Sequence, residues 1–408
     1  MTAPDGLTTR LILCPAEARL LLRAARPSLS DAQQALASDL VAQVAQWPAF
    51  IDTAHQKFVL PMVYANLSGL RDTPPPDAVL DSMRARSFDT AVASVRRQAA
   101  FDWFHRDCVQ PSGVAYAYLK GPALAARFYP DPMQRFYRDV DILVAPGQQV
   151  RFLRHLCAQG CRIFRHEDPG AGFLDADSDL VLAEFLFATP VVHVLTPQDL
   201  VVDLHAEIDE HTALFDTGML LRTAREVPLE RHGIRVLRDA EHFVFICYHH
   251  TRHMWSKLHW LADLDAMCNH PEFDRAAVMA CARRLGLEST VAAALDLHAL
   301  AAAARHPSDL DGRTPGGDLL SACVTGLAGD RALEHAMRKT QRLHVIGFDW
   351  QPMPVSRARR AWLRLRRFRP SYDDLTASRG ARPLRYGVAI ARRLARAARN
   401  IWDRTRQG

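Results

Sequence analysis

Hydrophobic residues recur with a helical period through the first 112 residues of the chain. Ser30 stands where an N-cap would begin the second apolar-periodic stretch, and a Pro-rich segment at 72–77 separates the third stretch from the fourth. No segment in this region alternates apolar and polar residues with the period of two that marks a half-buried strand. The pattern predicts an all-helical region, with helices at 15–25, 31–47, 51–70 and 78–108.

The pattern changes at Gly113, where short β-prone runs begin to alternate with short helical ones. The run 114–119 ends in Lys120-Gly121, and the run 138–144 alternates acidic with apolar residues. Such a mixture predicts a small α+β domain with a mixed sheet over residues 113–210. Its expected strands are 114–119, 138–144, 161–165, 180–195 and 200–208, and its expected helices are 122–128 and 148–159.

Helical periodicity returns after Glu210. It predicts a C-terminal helical domain over 211–345, followed by a tail over 346–408. The expected fold class is therefore α+β: a small mixed-sheet core with helical segments on its N- and C-terminal sides. The expected helices of the second helical region are 239–269, 275–304 and 319–341.

The distribution of charge singles out the tail. The 408 residues carry a net charge of +6, yet residues 356–408 hold sixteen arginines, no lysine and three acids, so that this segment alone carries +13. The remaining body is therefore acidic, at −7. A predicted amphipathic helix at 384–403 could bind an anionic partner, either a nucleic acid or a membrane surface, and the alternative is a helix that is solvated or docked on the body. The oligomeric state is left open.

Cysteine usage and hydropathy bear on the compartment. The eight cysteines are scattered without a CxxC pair, which disfavours a disulfide framework or a zinc ribbon. The N-terminal stretch lacks the features of a signal peptide, and no segment approaches the roughly 20 apolar residues of a membrane span. These observations predict a reduced, cytoplasmic protein.

The chemically informative motif is Asp139-Val-Asp141 in the run 138–144. Residues i and i+2 of a strand point to one face, so both carboxylates should project together while Val140 and Ile142 enter the core. Two adjacent like charges favour a cation between them, and Mg²⁺ prefers oxygen ligands. A third acid, Asp203, lies in a later β-prone run. Three converging carboxylates suit two-metal phosphoryl or nucleotidyl transfer.

Further motifs stand in series with these acids, including a downstream helix with histidines and tryptophans ahead of an aspartate. The full series is Leu119-Lys-Gly-Pro-Ala-Leu124, Arg135, Asp139-Val-Asp-Ile-Leu-Val144, Val202-Asp-Leu-His205 and the set His250, His253, Trp255, Trp260 and Asp263. In this order, the motifs resemble the uncharacterised nucleotidyltransferase family of the polymerase-beta-like superfamily. The resemblance covers roughly residues 110 to 270, and more loosely the helical flanks.

The resemblance implies a role for each matching residue. Asp139 and Asp141 would bind both metal ions, Mg²⁺ or alternatively Mn²⁺, and Asp203 would complete the second site and help to activate the acceptor. Lys120 would contact a phosphate or structure the turn, and Gly121 would let the backbone approach the triphosphate. Arg135 would balance triphosphate charge. Arg138 is a further candidate for nucleotide binding, and His205, His250 and His253 are candidates for positions around the site.

The sequence accordingly predicts a metal-dependent enzyme that transfers a nucleoside monophosphate from an NTP to an acceptor hydroxyl. Neither the acceptor nor the base of the NTP can be read from the chain. Two alternatives remain. One is a glycosyltransferase that uses the Asp139-Val-Asp141 motif. The other is a non-catalytic binding or regulatory protein with a decayed site.

Overall fold

A computed structural model gives the structure of the chain, whose described residues group into two compact units. The first unit comprises Met1–Gln98, Lys120–Tyr137 and Arg225–Pro354, and the second comprises Ala99–Leu119, Arg138–Ala224 and Val355–Gly408. Each unit thus draws on three segments, whereas the sequence predicts four consecutive regions, a division that stays a prediction. The structure describes residues 13–166, 170, 172–208, 214–229, 232–327, 348–352, 356, 358, 369–377, 384, 386–392 and 395.

The first unit is built mainly of helices around apolar side chains of the first helix. Leu20, Leu21 and Leu22 are fully buried, and this helix contacts the next three helices of the chain and the helix Glu288–Ala302. The Glu17 carboxylate accepts N–H bonds from Ala45 and Gln46, at 2.9 Å each. The N-terminal helices are α1 Pro15–Ala24, α2 Asp31–Val41, α3 Trp47–Gln56, α4 Leu60–Ser68 and α5 Asp77–Trp103. From Ala99 onward the chain belongs to the second unit, which therefore holds the end of α5, a π-helix over Phe104–Val109 and α6 Gln110–Ser112.

The rest of the first unit adds a short helix, a β-hairpin and further helices. Val227 and Ile234 are paired in the hairpin and both are buried. The elements are α7 Pro122–Phe128, a 3₁₀ turn Pro132–Gln134, β6 Arg225–Leu229, β7 His232–Val236, α11 Asp239–Arg252, α12 Leu258–Cys268, α13 Arg275–Leu285, α14 Glu288–Ala302, a 3₁₀ turn Pro307–Asp309 and α15 Pro315–Leu327.

The second unit contains a mixed sheet whose strands lie in the order β3-β4-β5-β2-β1. β2 and β5 run parallel, while the β1–β2, β3–β4 and β4–β5 pairs are antiparallel. The elements are β1 Tyr116–Tyr118, β2 Asp139–Val144, α8 Gln149–Ala158, β3 Arg162–Ile163, α9 Asp179–Ala188, β4 Val191–Leu195, β5 Val201–His205, α10 Thr217–Thr223 and α16 Tyr372–Thr376.

The alternation of side chains gives this sheet one fully packed face. Val140, Ile142, Val192, Val202 and Leu204 are all 0% exposed. Their neighbours along β4 and β5 are only half-buried, as the period of two requires. The helices α8 and α9 of this unit contact each other, and α8 also contacts β3. The expected α+β class, with a mixed sheet and flanking helices, is confirmed.

Several element boundaries differ from the sequence predictions. The run 180–195 is not one strand, because its first part forms α9, which Ser178 caps by accepting the Val181 N–H bond. The β6–β7 hairpin replaces an expected helical stretch.

The other differences are breaks within long helical patterns. The runs 51–70, 239–269 and 275–304 each form two helices rather than one. Phe58, with φ 62°, marks the first break, and Met254 and Trp255, with φ 58° and 49°, mark the second. Of the predicted helix 319–341, residues 328–341 lie outside the described residues. In the predicted tail helix 384–403, residues 386–392 are helical, and most of the remainder is not described. Among the described helices, none combines the length and apolarity needed to cross a bilayer.

Candidate functional site

Two parallel strands bring the three predicted catalytic acids to one face of the second unit's sheet. Asp141 on β2 is the register partner of Asp203 on β5, so that their side chains leave the sheet on the same side. Asp139 lies two residues before Asp141 and shares that side. The i, i+2 spacing and the parallel register therefore place all three acids on one face of the sheet.

The acids differ in their exposure to solvent. Asp139, at the start of β2, is exposed, whereas Asp141 is only 4% exposed. Val140 and Ile142, between and beyond them, are fully buried on the opposite face. The Asp141 carbonyl also accepts a 3.0 Å bond from the Leu119 N–H.

Two histidines contact the acids on this face. His205 Nε2 lies 3.1 Å from Asp141 Oδ1, and His193 Nδ1 lies 2.7 Å from Asp203 Oδ1. His193 is the register partner of Asp203 on the antiparallel neighbour β4. Each imidazole N–H can donate to a carboxylate oxygen and orient it. His205 was expected near the site, but the contribution of His193 was missed.

A signal for His193 is present in the sequence. Val191-Val-His193-Val-Leu195 and Val201-Val-Asp203-Leu-His205 share the same alternation, which puts the third residue of each run on equivalent positions of its strand. Two successive runs joined by a turn are expected to pair antiparallel. Pairing them about the 196–199 turn sets His193 opposite Asp203.

The acids supply the oxygen ligands that Mg²⁺ prefers, and they share a face. Over the described part of the chain, however, no three His, Cys, Asp or Glu side chains stand close enough together to hold a metal ion. Asp141 and Asp203 instead receive a histidine contact each. The three carboxylates therefore suit a divalent cation by their chemistry and share a face, but they do not stand as an assembled ligand shell.

The predicted phosphate turn opens α7 in the first unit. Gly121 is the N-cap of α7 and has φ 47° and ψ −115°, a backbone conformation that side-chain-bearing residues rarely adopt. The conformation of the turn thus accounts for a glycine here, independently of any approach to a ligand. Lys120 Nζ lies 3.4 Å from His249 Nε2 on α11 of the same unit.

The predicted histidines lie at the C-terminal end of α11, His250 in its last turn and His253 as its C-cap. His250 is fully buried, and its ring stacks on Trp260 with centroids 4.5 Å apart. His253 is half-buried, with its ring 4.6 Å from that of His249. Burial, followed by the positive charge of Lys120, lowers the pKa of both His249 and His250 well below the usual value for histidine. Both rings are therefore neutral near pH 7.

Arg135, predicted to balance triphosphate charge, forms a buried ion pair. Its Nε and Nη2 donate to the two carboxylate oxygens of Asp263 on α12, at 2.9 and 2.7 Å, and its Nη1 donates to the Phe136 carbonyl. Tyr129 Oη donates to the same carboxylate at 2.8 Å. This bonding favours a structural role for Arg135, and its contact with a nucleotide stays a prediction. Arg138, in the second unit, is exposed next to Asp139.

One known protein family covers the part of the chain that holds Asp139, Asp141 and Asp203. A family described as an uncharacterised nucleotidyltransferase matches residues 43–302, more than half of the chain. The chain belongs to this family. The match includes all the predicted site residues of both units, from Lys120 to His253. No curated protein matches the chain.

Membership in the nucleotidyltransferase family supports a role in nucleotidyl transfer, with an NTP as a substrate. It fixes neither the acceptor nor the metal. The matched range ends before the basic tail, so that family membership carries nothing about residues 346–408.

Proposed function

We propose that the protein transfers a nucleoside monophosphate from an NTP to an acceptor hydroxyl, with Asp139, Asp141 and Asp203 as ligands for Mg²⁺ or Mn²⁺. The observation that carries this proposal is the register of β2 and β5, which sets Asp141 beside Asp203, with Asp139 on the same face. A divalent cation would neutralise charge on the triphosphate and lower the pKa of the acceptor hydroxyl.

Each residue has a separate task in this proposal. The acceptor oxygen bonds to the α-phosphorus, the bond to the bridging oxygen breaks, and pyrophosphate leaves. We assign the acceptor proton to Asp203, whose carboxylate His193 orients from β4. His205 does the same for Asp141. Lys120 and the backbone of Gly121 are the proposed phosphate contacts.

Calorimetric titration of each NTP, with and without Mg²⁺, tests the acids. Replacing Asp139 and Asp141 together by alanine should abolish Mg²⁺-dependent binding. A matched control is Asp175→Ala with Asp177→Ala, because these carboxylates have the same i, i+2 spacing in the same unit and lie outside the strands. The control should bind like wild type. Unchanged binding in the Asp139/Asp141 variant, or equal loss in the control, contradicts the proposal.

Product analysis separates the proposal from the alternatives. Incubation with each α-labelled NTP and Mg²⁺ in a host lysate should transfer label to one class of acceptor and release pyrophosphate. Transfer of a sugar from a nucleotide-sugar would instead support the glycosyltransferase interpretation. NTP binding without any transfer would support a non-catalytic protein.

A further inference from the structure

A chain of nitrogen atoms runs from Lys120 into the interior of the first unit. Lys120 Nζ lies 3.4 Å from His249 Nε2, and His249 Nδ1 lies 3.1 Å from His250 Nδ1. His249 and His250 are consecutive on α11. The two imidazoles therefore connect the phosphate turn to the buried side of this helix.

The donors in this chain follow from the chemistry of the amine. An ammonium group has N–H donors and no acceptor, so that His249 must present a bare Nε2 to Lys120. His249 then carries its proton on Nδ1 and donates it to His250 Nδ1. His250 is left with its proton on Nε2. Burial lowers the pKa of both rings, which agrees with neutral imidazoles.

At the inner end of this chain of nitrogen atoms, one ring nitrogen lacks a hydrogen-bond partner among the described residues. His250 is 0% exposed, and within the described residues its Nε2 has no hydrogen-bond partner. An unpaired buried donor costs about 1–3 kcal/mol. A hydrophobic residue stacked on Trp260 would avoid this cost. The arrangement is therefore not explained by stability alone.

The backbone around the two histidines is also strained. Met254 and Trp255 have positive φ in succession, and the Trp255 N–H donates to the His250 carbonyl at 3.0 Å. Trp255 is 1% exposed, and its indole N–H donates to Thr251 Oγ1. Residues held in the left-handed region cost about 1–3 kcal/mol each and concentrate at functional sites. This turn fixes the end of α11 that presents His249.

We propose that His249 is a positioning residue that holds the Lys120 ammonium group for the triphosphate, with His250 fixing the tautomer of His249. This inference rests on the proposed function, because it assigns a phosphate to Lys120. His249 accepts one Lys120 N–H bond and thereby fixes where the ammonium group lies. His249 itself does not touch the substrate and acts through Lys120.

Nitrogen NMR with ring-¹⁵N histidine tests the chain without any substrate. His249 should appear as the Nδ1–H tautomer and His250 as the Nε2–H tautomer at pH 7, with assignments from single substitutions. Lys120→Met should shift the His249 Nε2 resonance. The opposite tautomer in either ring, or a His249 Nε2 resonance that does not shift in Lys120→Met, would overturn the proposed chain of hydrogen bonds.

Binding of inorganic tripolyphosphate with Mg²⁺, compared with Mg²⁺-NTP, tests the positioning role. His249→Leu should weaken both about tenfold, the size expected for one hydrogen bond to a charged group. His249→Gln, which keeps an acceptor, should recover most of that affinity. The control is His242→Leu, which removes another buried imidazole of α11, one that lies against Phe128. It should leave both affinities unchanged.

A double substitution separates positioning from general damage to the fold. If His249 acts through Lys120, then Lys120→Met with His249→Leu should bind no more weakly than Lys120→Met alone. Additive losses, or equal loss in His242→Leu, overturn the positioning role. If the wild-type protein binds neither NTP nor tripolyphosphate, the proposed function and the phosphate role of Lys120 both fail, while the NMR result still decides the hydrogen-bond chain.

Discussion

At the residue scale, the buried ion pair between Arg135 and Asp263 favours a structural role for Arg135 over a ligand-binding role. Asp263→Asn should destabilise the protein by about 3–5 kcal/mol in urea unfolding, because it leaves the Arg135 charge buried and unpaired. Arg135→Met with Asp263→Leu should recover much of that loss, since both charges are removed together. A loss below 1 kcal/mol in Asp263→Asn would contradict this account.

The same double variant tests the predicted nucleotide contact of Arg135. The Nε, Nη1 and Nη2 atoms of Arg135 all donate hydrogen bonds to protein oxygens. NTP affinity should therefore change less than threefold in the folded double variant. Calorimetry gives the affinity, and circular dichroism checks the fold. A loss of NTP affinity of tenfold or more, with an intact fold, would support a contact between Arg135 and the triphosphate, as the family resemblance implies.

His193 carries a prediction of its own on the acid face. His193→Leu should weaken Mn²⁺ binding in the presence of NTP about 10- to 100-fold, because residues that orient metal ligands have effects of this size. Titration followed by electron paramagnetic resonance measures free Mn²⁺. His166→Leu is the control, since His166 is an exposed residue of the same unit that pairs with Asp373. Equal effects in both variants would contradict an orienting role.

The sequence could predict the acids but not all of their neighbours. Strand periodicity alone places Asp139 beside Asp141, and the parallel register adds Asp203. Hydrogen bonds such as His193 to Asp203 and Arg135 to Asp263 depend on which elements become neighbours. Arg135 and Asp263 are 128 positions apart, and local pattern carries no information at that distance.

At the element scale, Gly121 determines how α7 begins. Gly121→Ala should cost about 1–3 kcal/mol, because its φ of 47° and ψ of −115° disfavour any residue with a Cβ atom. Urea unfolding measures the cost. Gly69→Ala is the control: Gly69 has an ordinary φ of −86°, and an added Cβ would meet its nearest atom at 3.5 Å. A Gly121 variant no less stable than the Gly69 variant would contradict the assignment.

Elements with clear periodicity were predictable, and the exceptions have physical causes. β2 was predicted nearly to the residue because acids alternate with fully buried apolar residues. α9 was misread because it is apolar on all sides: Leu182 and Phe185 are buried, while Leu180 and Phe187 are 55% and 40% exposed. The start of this helix is marked by its N-cap, where Ser178 Oγ accepts the Val181 N–H bond, and not by the periodicity of apolar residues. Pairing between β6 and β7 likewise overrides their weak local pattern.

At the scale of the whole molecule, buried neutral histidines predict a loss of stability in mild acid. The folded state holds the pKa of His249 and His250 well below 6.5, so that only the unfolded chain binds protons there as the pH falls. Each group should remove about 1.4 kcal/mol of stability per pH unit below about pH 6. Urea unfolding between pH 5 and 8 measures the slope. His249→Gln should reduce it by one such contribution, and an unchanged slope would contradict the prediction.

The basic tail requires a truncation that respects its contacts within the second unit. Tyr372 packs on Phe185 with ring centroids 5.1 Å apart, Arg165 pairs with Asp373 at 2.9 Å, and Leu375 is fully buried. Removing everything after Val355 would expose these groups and confound loss of charge with loss of fold. Truncation after Ala377 keeps them and still removes nine arginines and one acid.

This shorter truncation should separate the tail from catalysis. We expect unchanged NTP binding, together with at least a tenfold loss of affinity for an anionic partner, because the removed charge drives counterion release. Anisotropy with labelled RNA and co-sedimentation with phosphatidylserine vesicles, each at 50 and 200 mM salt, measure the affinity. If affinity for the anionic partner is unchanged by the truncation, or does not depend on salt concentration, the anionic site lies elsewhere. Loss of NTP binding alone would show that the tail supports the nucleotide site.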